Sequence, residues 1–168
     1  FITLAHALEV HPLILMRQYF HGWELPVWSS KDTKYPKDHS GFVRDVTYPD
    51  NSLVTVNQEF EKVWEIQNLG EVIWENRRLV CIDEELVIIQ RRGEEWRPLS
   101  QTALLVPLQR EVPISTTHPK QTVIVAVTFR ASPIPGTTVS YWKMVDTQGE
   151  LCFPNLSGVM CLVKVVAV

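Results

Sequence analysis

From Phe42 to the end of the chain the hydrophobic pattern repeats every two residues. That period commits the backbone to extended strands whose side chains alternate between two faces. Val123, Val125, Val127 and Phe129 alternate with Ile124, Ala126 and Thr128, giving one strongly apolar face. Phe60, Trp64 and Ile66 share a face against Glu61, Glu65 and Gln67. Val139, Tyr141 and Val145 alternate with Trp142 and Met144, and Cys161, Val163, Val165 and Ala167 alternate with Leu162, Lys164, Val166 and Val168. Shorter runs at Leu79–Ile82, Leu86–Gln90, Leu104–Leu108 and Val112–Ser115 bring the expected count to about eight.

The punctuation between these runs agrees. Asn68-Leu69-Gly70 reads as a turn with positive φ available at Asn and Gly, and Asp146-Thr147-Gln148-Gly149 as a type I turn closing a hairpin. Pro107 and Pro113 bracket a stretch that belongs at a sheet edge or a switch between sheets, because proline donates no ladder hydrogen bond. Short strands with turns at this spacing predict a mainly β fold, an immunoglobulin-like antiparallel β-sandwich of about 7–9 strands.

The first twenty residues differ. Leu4, Ala5 and Leu8 define an apolar helix face, and Val10-His11-Pro12 breaks it, with Pro12 suited to the first position of a second helix and His11 to its N-cap. Leu13, Met16, Arg17 and Phe20 continue at helical spacing, and Gly22 is placed to end that helix. Residues 22–40 read as a linker with Pro26, Pro36, Lys31, Lys34 and Lys37, a solvated connector whose Trp23, Leu25, Val27 and Trp28 are expected to pack down. The expected division is therefore 1–21, two short helices; 22–40, linker; 41–168, sandwich.

Composition narrows the functions. Hydrophobic residues make up 45% and charged residues 21%, an ordinary globular balance. Sixteen Lys and Arg against nineteen Asp and Glu give a net charge of −3, unlike a domain built to hold a polyanion. Three Cys with no C-x-x-C pair read as buried thiols in a reducing compartment, hence a cytoplasmic location. No apolar run approaches the ~18 residues of a membrane span, so no membrane partner is expected. The chain opens on Phe1 rather than Met, which reads as part of a longer protein.

The most specific pattern is K-x-W-x-I-x-N-x-G-x-x-x-W, formed by Lys62, Trp64, Ile66, Asn68, Gly70 and Trp74. It is flanked by Phe42-Val43-Arg44-Asp45 and Pro49-Asp50, and later by Val127-Thr128-Phe129-Arg130-Ala131, Ser140-Tyr141-Trp142-Lys143-Met144 and Gly149. From Asp45 to Val168 this resembles the four-tryptophan (FW) domain, the immunoglobulin-like module of Nbr-type autophagy receptors and of many bacterial chains. The resemblance implies a structural core motif of Trp64, Asn68, Gly70, Trp74 and Trp142. The chain departs from the family near Asp83 and near Val159 or Met160, where the family usually carries further Trp. Leu4-Ala5-His6-Ala7-Leu8-Glu9-Val10-His11-Pro12 resembles the L-A-x-A-L-x-V-x-P end of an Xre-type helix-turn-helix domain. That likeness implies a bacterial DNA-binding regulator whose recognition helix lies upstream of Phe1.

Few residues are arranged for chemistry. Trp64, Trp74 and Trp142 at strand spacing read as core. Trp96 lies in a polar stretch, Arg91–Pro98, read as an inserted loop. With Arg91, Arg92 and Arg97 it is either a partner-binding loop or a lid folded over the sheet, and Glu94 and Glu95 nearly cancel its charge. Arg77 and Arg78 are expected to face Glu71 and Glu75. Asp83-Glu84-Glu85 lacks the loop pattern of a calcium site and reads as a strand-end turn. His6, His11, His21, His39 and His118 form no zinc pattern, and Cys81, Cys152 and Cys161 read as small buried hydrophobes. No cofactor or metal is implied, and no nucleophile elbow or phosphate loop suggests an enzyme.

The leading expectation is thus the C-terminal non-catalytic interaction or sensing module of a cytoplasmic DNA-binding transcriptional regulator. It would bind a protein partner or self-associate, and would reach DNA only through the upstream domain. The alternative is a carbohydrate- or small-ligand-binding β-sandwich, which requires a row of exposed Trp on one face.

Overall fold

The computed structural model describes residues 2–20, 33–86, 88–92 and 94–167; the side chains of residues 17–20, 89–92 and 101 lie outside that description. Two antiparallel-dominated sheets face each other, one four-stranded in the order β1-β3-β9-β7 and one five-stranded in the order β2-β11-β10-β4-β8. Their strands are β1 (Ser40–Asp45), β2 (Ser52–Thr55), β3 (Glu59–Asn68), β4 (Arg78–Cys81), β7 (Val106–Pro107), β8 (Glu111–Pro113), β9 (Thr122–Arg130), β10 (Gly136–Val145) and β11 (Val159–Val166). The remaining pair, β5 (Ile89–Arg92) and β6 (Glu95–Pro98), forms a two-stranded ribbon of its own. The architecture is the expected immunoglobulin-like sandwich preceded by two short helices, α1 (Ile2–Ala7) and α2 (Pro12–Phe20).

The period-two pattern decides which faces meet. Val125, Val127 and Phe129 of β9 are buried while Ile124 is exposed, and Cys161, Val163 and Val165 line the inner face of β11. Between the sheets the aromatics form a chain. Phe60 stacks on Phe129 at 5.8 Å, Phe129 meets Trp142 edge-on at 6.0 Å, and Trp142 lies 6.4 Å from Trp64. Offset and edge-on contacts at these separations add to the burial of large apolar surface. The prolines act as the sequence requires: Pro107 ends the two-residue edge strand β7, and the chain then crosses to the other sheet as β8.

Helix α1 ends in a Schellman motif. Glu9 takes the left-handed conformation (φ 56°), its N–H meets His6 O at 3.2 Å and Val10 N–H meets Ala5 O at 3.0 Å. His11 caps α2 through Nδ1, which accepts from Leu13 N–H at 3.2 Å. The helix pair docks on the outer face of the four-stranded sheet. Ile14 and Ala5 are buried, His11 N–H donates to Gln67 Oε1 at 2.8 Å, and Lys120 pairs with Glu9.

Several local expectations are corrected. The segment 33–39, read as the end of a solvated linker, is built into the sandwich, with Asp38 0% exposed. Trp23, Leu25, Val27 and Trp28, and Gly22, lie outside the described residues. The Asn68–Gly70 turn uses no positive φ; Asn68 and Gly70 are absent from the left-handed residues, and the glycine is required by proximity. A Cβ at Gly70 would stand 2.4 Å from Lys37 O and 2.6 Å from His39 N. Trp74 makes a single bridge to Thr117 instead of lying in a strand. The stretch 91–98 is a β-hairpin arm rather than a loop, because Gln90 pairs with Arg97 and Arg91 with Trp96.

Candidate functional site

The three core tryptophans are buried, and each indole N–H has an acceptor, as a buried donor must. Trp64 Nε1 donates to Met160 O at 2.9 Å, Trp142 Nε1 to Ser140 Oγ at 2.9 Å, and Trp74 Nε1 to Asp38 Oδ1 at 2.8 Å. Ser140 Oγ in turn donates to Asp83 Oδ2 at 2.6 Å, and Tyr141 N–H to Asp83 Oδ1 at 2.6 Å. Asp83 therefore serves the core, in a 3-10 turn at Asp83–Glu85, and Glu84 pairs with Arg110. Asn68 closes its end of the sandwich by donating Nδ2 to Val72 O (2.7 Å) and Thr117 O (3.1 Å) and accepting from Gly70 N–H (3.0 Å).

Two buried ion pairs complete this frame, and neither was visible in the sequence. Lys62 is 0% exposed; its Nζ reaches Asp45 Oδ1 at 2.7 Å and Tyr48 O at 2.6 Å and lies 5.8 Å from the Trp64 ring. Arg77 does not face Glu71 or Glu75. It bonds Asp38 Oδ2 at 2.7 Å and lies over the rings of Tyr35 (5.4 Å) and Trp74 (5.7 Å). Arg78 pairs with Glu111 at 2.9 Å, and Glu71 with Lys37 at 2.8 Å.

The cysteines are held as thiols. Burial pushes Cys152 up to about 11 and Cys161 up to about 12, and raises Cys81 as well, so none is poised as a thiolate. Among the described residues no group of three His, Cys, Asp or Glu side chains is placed to hold a metal, and no helix is long and apolar enough to cross a membrane.

Among the described residues, two of the features that open to solvent bear on binding. A cleft of about 460 Å³ lies at one end of the sandwich, lined by Phe42, Asp45, Asp50, Tyr141 and residues 157–160. The second is the β5–β6 ribbon. All four residues of β6 are exposed; Trp96 is 64% exposed, and Arg97 Nε bonds Glu95 Oε2 at 2.9 Å. Trp96 is no lid, since it is not buried against either sheet. Among the described tryptophans it alone is exposed, so they form no row of the kind a carbohydrate platform needs.

Comparison with known proteins fits this geometry. A family model described as the Ig-like domain from next to BRCA1 gene matches residues 47–165. The chain is 30% identical over 115 residues to the Protein NBR1 homolog of Arabidopsis thaliana, covering 68% of this chain and 14% of that protein. It is 27% identical over 116 residues to Protein JOKA2 of Solanum tuberosum, covering 68% of this chain and 12% of that one. The chain thus spans about one-seventh of the length of the curated relatives it matches. Similar solved structures include the CARDB domain of a Pyrococcus furiosus protein in complex with di-metal ions (13% identity, 81% of this chain and 98% of that one, TM-score 0.42). Another is the ASH/PapD-like domain of human CEP192 (11% identity, 88% of this chain and 94% of that one, TM-score 0.39). The plant relatives and the family match overturn the expected bacterial Xre-type helix-turn-helix regulator, and with it the DNA-binding and transcriptional role. The physical reason lies in the helices: the nine residues that suggested a DNA-binding tail, Leu4–Pro12, are the end of α1, the capped break and the first residue of α2, and the break is held to the sandwich's own outer face through His11 and Gln67.

Proposed function

Since the chain belongs to the family of the Ig-like domain from next to BRCA1 gene, we propose that it is a non-catalytic protein-interaction module whose contact surface is the β5–β6 ribbon. The observation that carries this is Trp96, a large aromatic standing in solvent on an arm that joins neither sheet. Exposing that much apolar area costs about 1 kcal/mol or more of solvation and returns nothing to the fold, whereas Trp and Arg dominate binding energy at protein interfaces. Arg97 beside it supplies a charged rim, and Arg91 stands opposite Trp96 in the ladder. The motif tryptophans Trp64, Trp74 and Trp142 are occupied inside the core, which leaves Trp96 as the exposed tryptophan among the described residues. The three free Cys side chains, held as thiols, support residence in a reducing compartment such as the cytoplasm.

The test is quantitative affinity capture from cell extract with the wild-type chain and with Trp96→Ala, each checked for native circular dichroism. Loss of a saturable set of proteins on W96A supports the reading. A capture profile and a self-association that are both unchanged by W96A overturn it.

A further inference from the structure

We propose that the β5–β6 arm docks on a second copy of this chain, β6 pairing antiparallel with its own copy about a two-fold axis at Trp96. This rests on the reading of the arm as the contact surface and names its occupant.

The backbone supplies the template. Leu99 N–H donates to Ile88 O at 2.7 Å, which makes 88/99 a directly bonded pair of the ladder. Bonded and non-bonded pairs alternate in an antiparallel ladder, so 90/97 and 92/95 are bonded, while 89/98 and 91/96 are not. The N–H and C=O of Trp96 therefore point away from β5, along the outer edge of β6. Among the described residues no strand of either sheet pairs there. Such an edge is a template for another strand.

The sequence around that edge is self-complementary. With Trp96 opposite Trp96 of the second copy, Glu95 falls opposite the second copy's Arg97, and Arg97 opposite its Glu95. An isologous contact uses every pairing twice, so both charge pairs come out attractive. Arg97 and Glu95 already pair within one chain, and both are exposed, so docking extends two isolated pairs into an alternating network of four charges. Residues directly opposite share a face, which sets the two indoles side by side and removes both from water. Pro98 has no N–H to donate at the next outward position, so the ladder ends after a few bonds and the contact closes as a pair. An interface of this size falls below the ~1,200 Å² of stable complexes, and the dimer is a weak, concentration-dependent one.

Sedimentation velocity on the full chain from about 5 to 500 μM tests this, a span that brackets weak self-association. The weight-average coefficient should rise with concentration, and should stay at the monomer value for W96A. Glu95→Arg and Arg97→Glu each place like charges opposite one another twice, and each should weaken association about tenfold. The double variant E95R/R97E restores both pairs and should recover it. An equimolar mixture of E95R and R97E should associate more strongly than either alone, a result that an arm acting only within its own chain would not give. Dimerisation should weaken with added salt. A wild-type chain that is monomeric throughout overturns the proposal, as does a mixture no stronger than its components. If the chain is monomeric while W96A still loses captured proteins, the self-pairing falls and the contact-surface reading stands.

Discussion

Replacing Asp38 by Ala should remove more stability than any substitution of an exposed charge in this chain. The carboxylate is fully buried and answers two buried donors, Arg77 at 2.7 Å and the Trp74 indole at 2.8 Å. Removing it strands the Arg77 guanidinium, itself 4% exposed, and a buried charge without its partner costs about 3–5 kcal/mol. The orphaned indole N–H adds about 1–3 kcal/mol, reduced if water enters the vacated space. A net loss of about 4 kcal/mol is expected. With a urea slope of about 2 kcal/mol/M, the unfolding midpoint should fall by about 2 M. Asp38→Asn keeps one acceptor oxygen, enough for one of the two donors, and sets an amide N–H2 against the other, so it should lose less than Asp38→Ala but more than half as much. In the double variant D38A/R77M the stranded charge is gone, so its loss should be smaller than the sum of the two single losses by about 2 kcal/mol. The assay is urea denaturation followed by far-ultraviolet circular dichroism and tryptophan fluorescence. An Asp38→Ala loss under about 1 kcal/mol, or strict additivity with Arg77→Met, would refute the claim that this pair is buried and coupled.

Three further outcomes follow from the geometry. Gly70→Ala drives a methyl group against the Lys37 carbonyl and should cost about 3 kcal/mol in urea denaturation, whereas Gly149→Ala, with left-handed backbone (φ 82°) but open space, should cost about 1 kcal/mol. Asp146, held below the usual carboxylate range by Lys34, contributes stability that is full above about pH 4 and lost as pH falls toward its folded value. Lys34, raised by Asp146 and Glu150, contributes stability that is lost only as pH climbs above about 10. The melting temperature should thus show a Lys34–Asp146 component below pH 4 that Asp146→Asn abolishes, and none between pH 5 and 9. Finally, a thiol reagent at pH 8 should label partly buried Cys81 before the buried Cys152 or Cys161, with all three labelled together only in denaturant; early labelling of Cys161 would contradict its burial.

What the residues revealed beforehand tracks how each element earns its place. β3, β9, β10 and β11 were legible because each buries one full face, and alternation in sequence is the record of that burial. β2 was missed: it is an edge strand of four residues with Val54 as its one buried side chain, set between Asn51 and Asn57 in left-handed conformation. β6 was missed for a stronger reason. It buries nothing, so its sequence carries no alternation and reads as an insertion. The buried charges were invisible because pattern reading assigns charge to the surface. Asp38 precedes its partner Arg77 by 39 positions and Lys62 follows Asp45 by 17, so only the folded topology makes either charge tolerable inside.

The same contrast separates family signature from function. Each residue of the K-x-W-x-I-x-N-x-G-x-x-x-W pattern has an internal assignment. Lys62 is spent on Asp45, Trp64 and Ile66 on the core, Asn68 on two carbonyls, Gly70 on a close backbone passage and Trp74 on Asp38. A side chain committed to the interior cannot also meet a partner, so the pattern identifies the sandwich and leaves its binding unspecified. β6 stands in the opposite relation: its four described side chains are all exposed and add nothing to the core, yet it carries an aromatic, a cation and an open strand edge into solvent. Exchanging the arm while retaining the motif should therefore alter what the domain binds with little change in its unfolding midpoint, and exchanging a motif residue should do the reverse. If arm deletion instead lowers the midpoint as far as Asp38→Ala does, the arm belongs to the fold and the division of labour argued from its exposure is wrong.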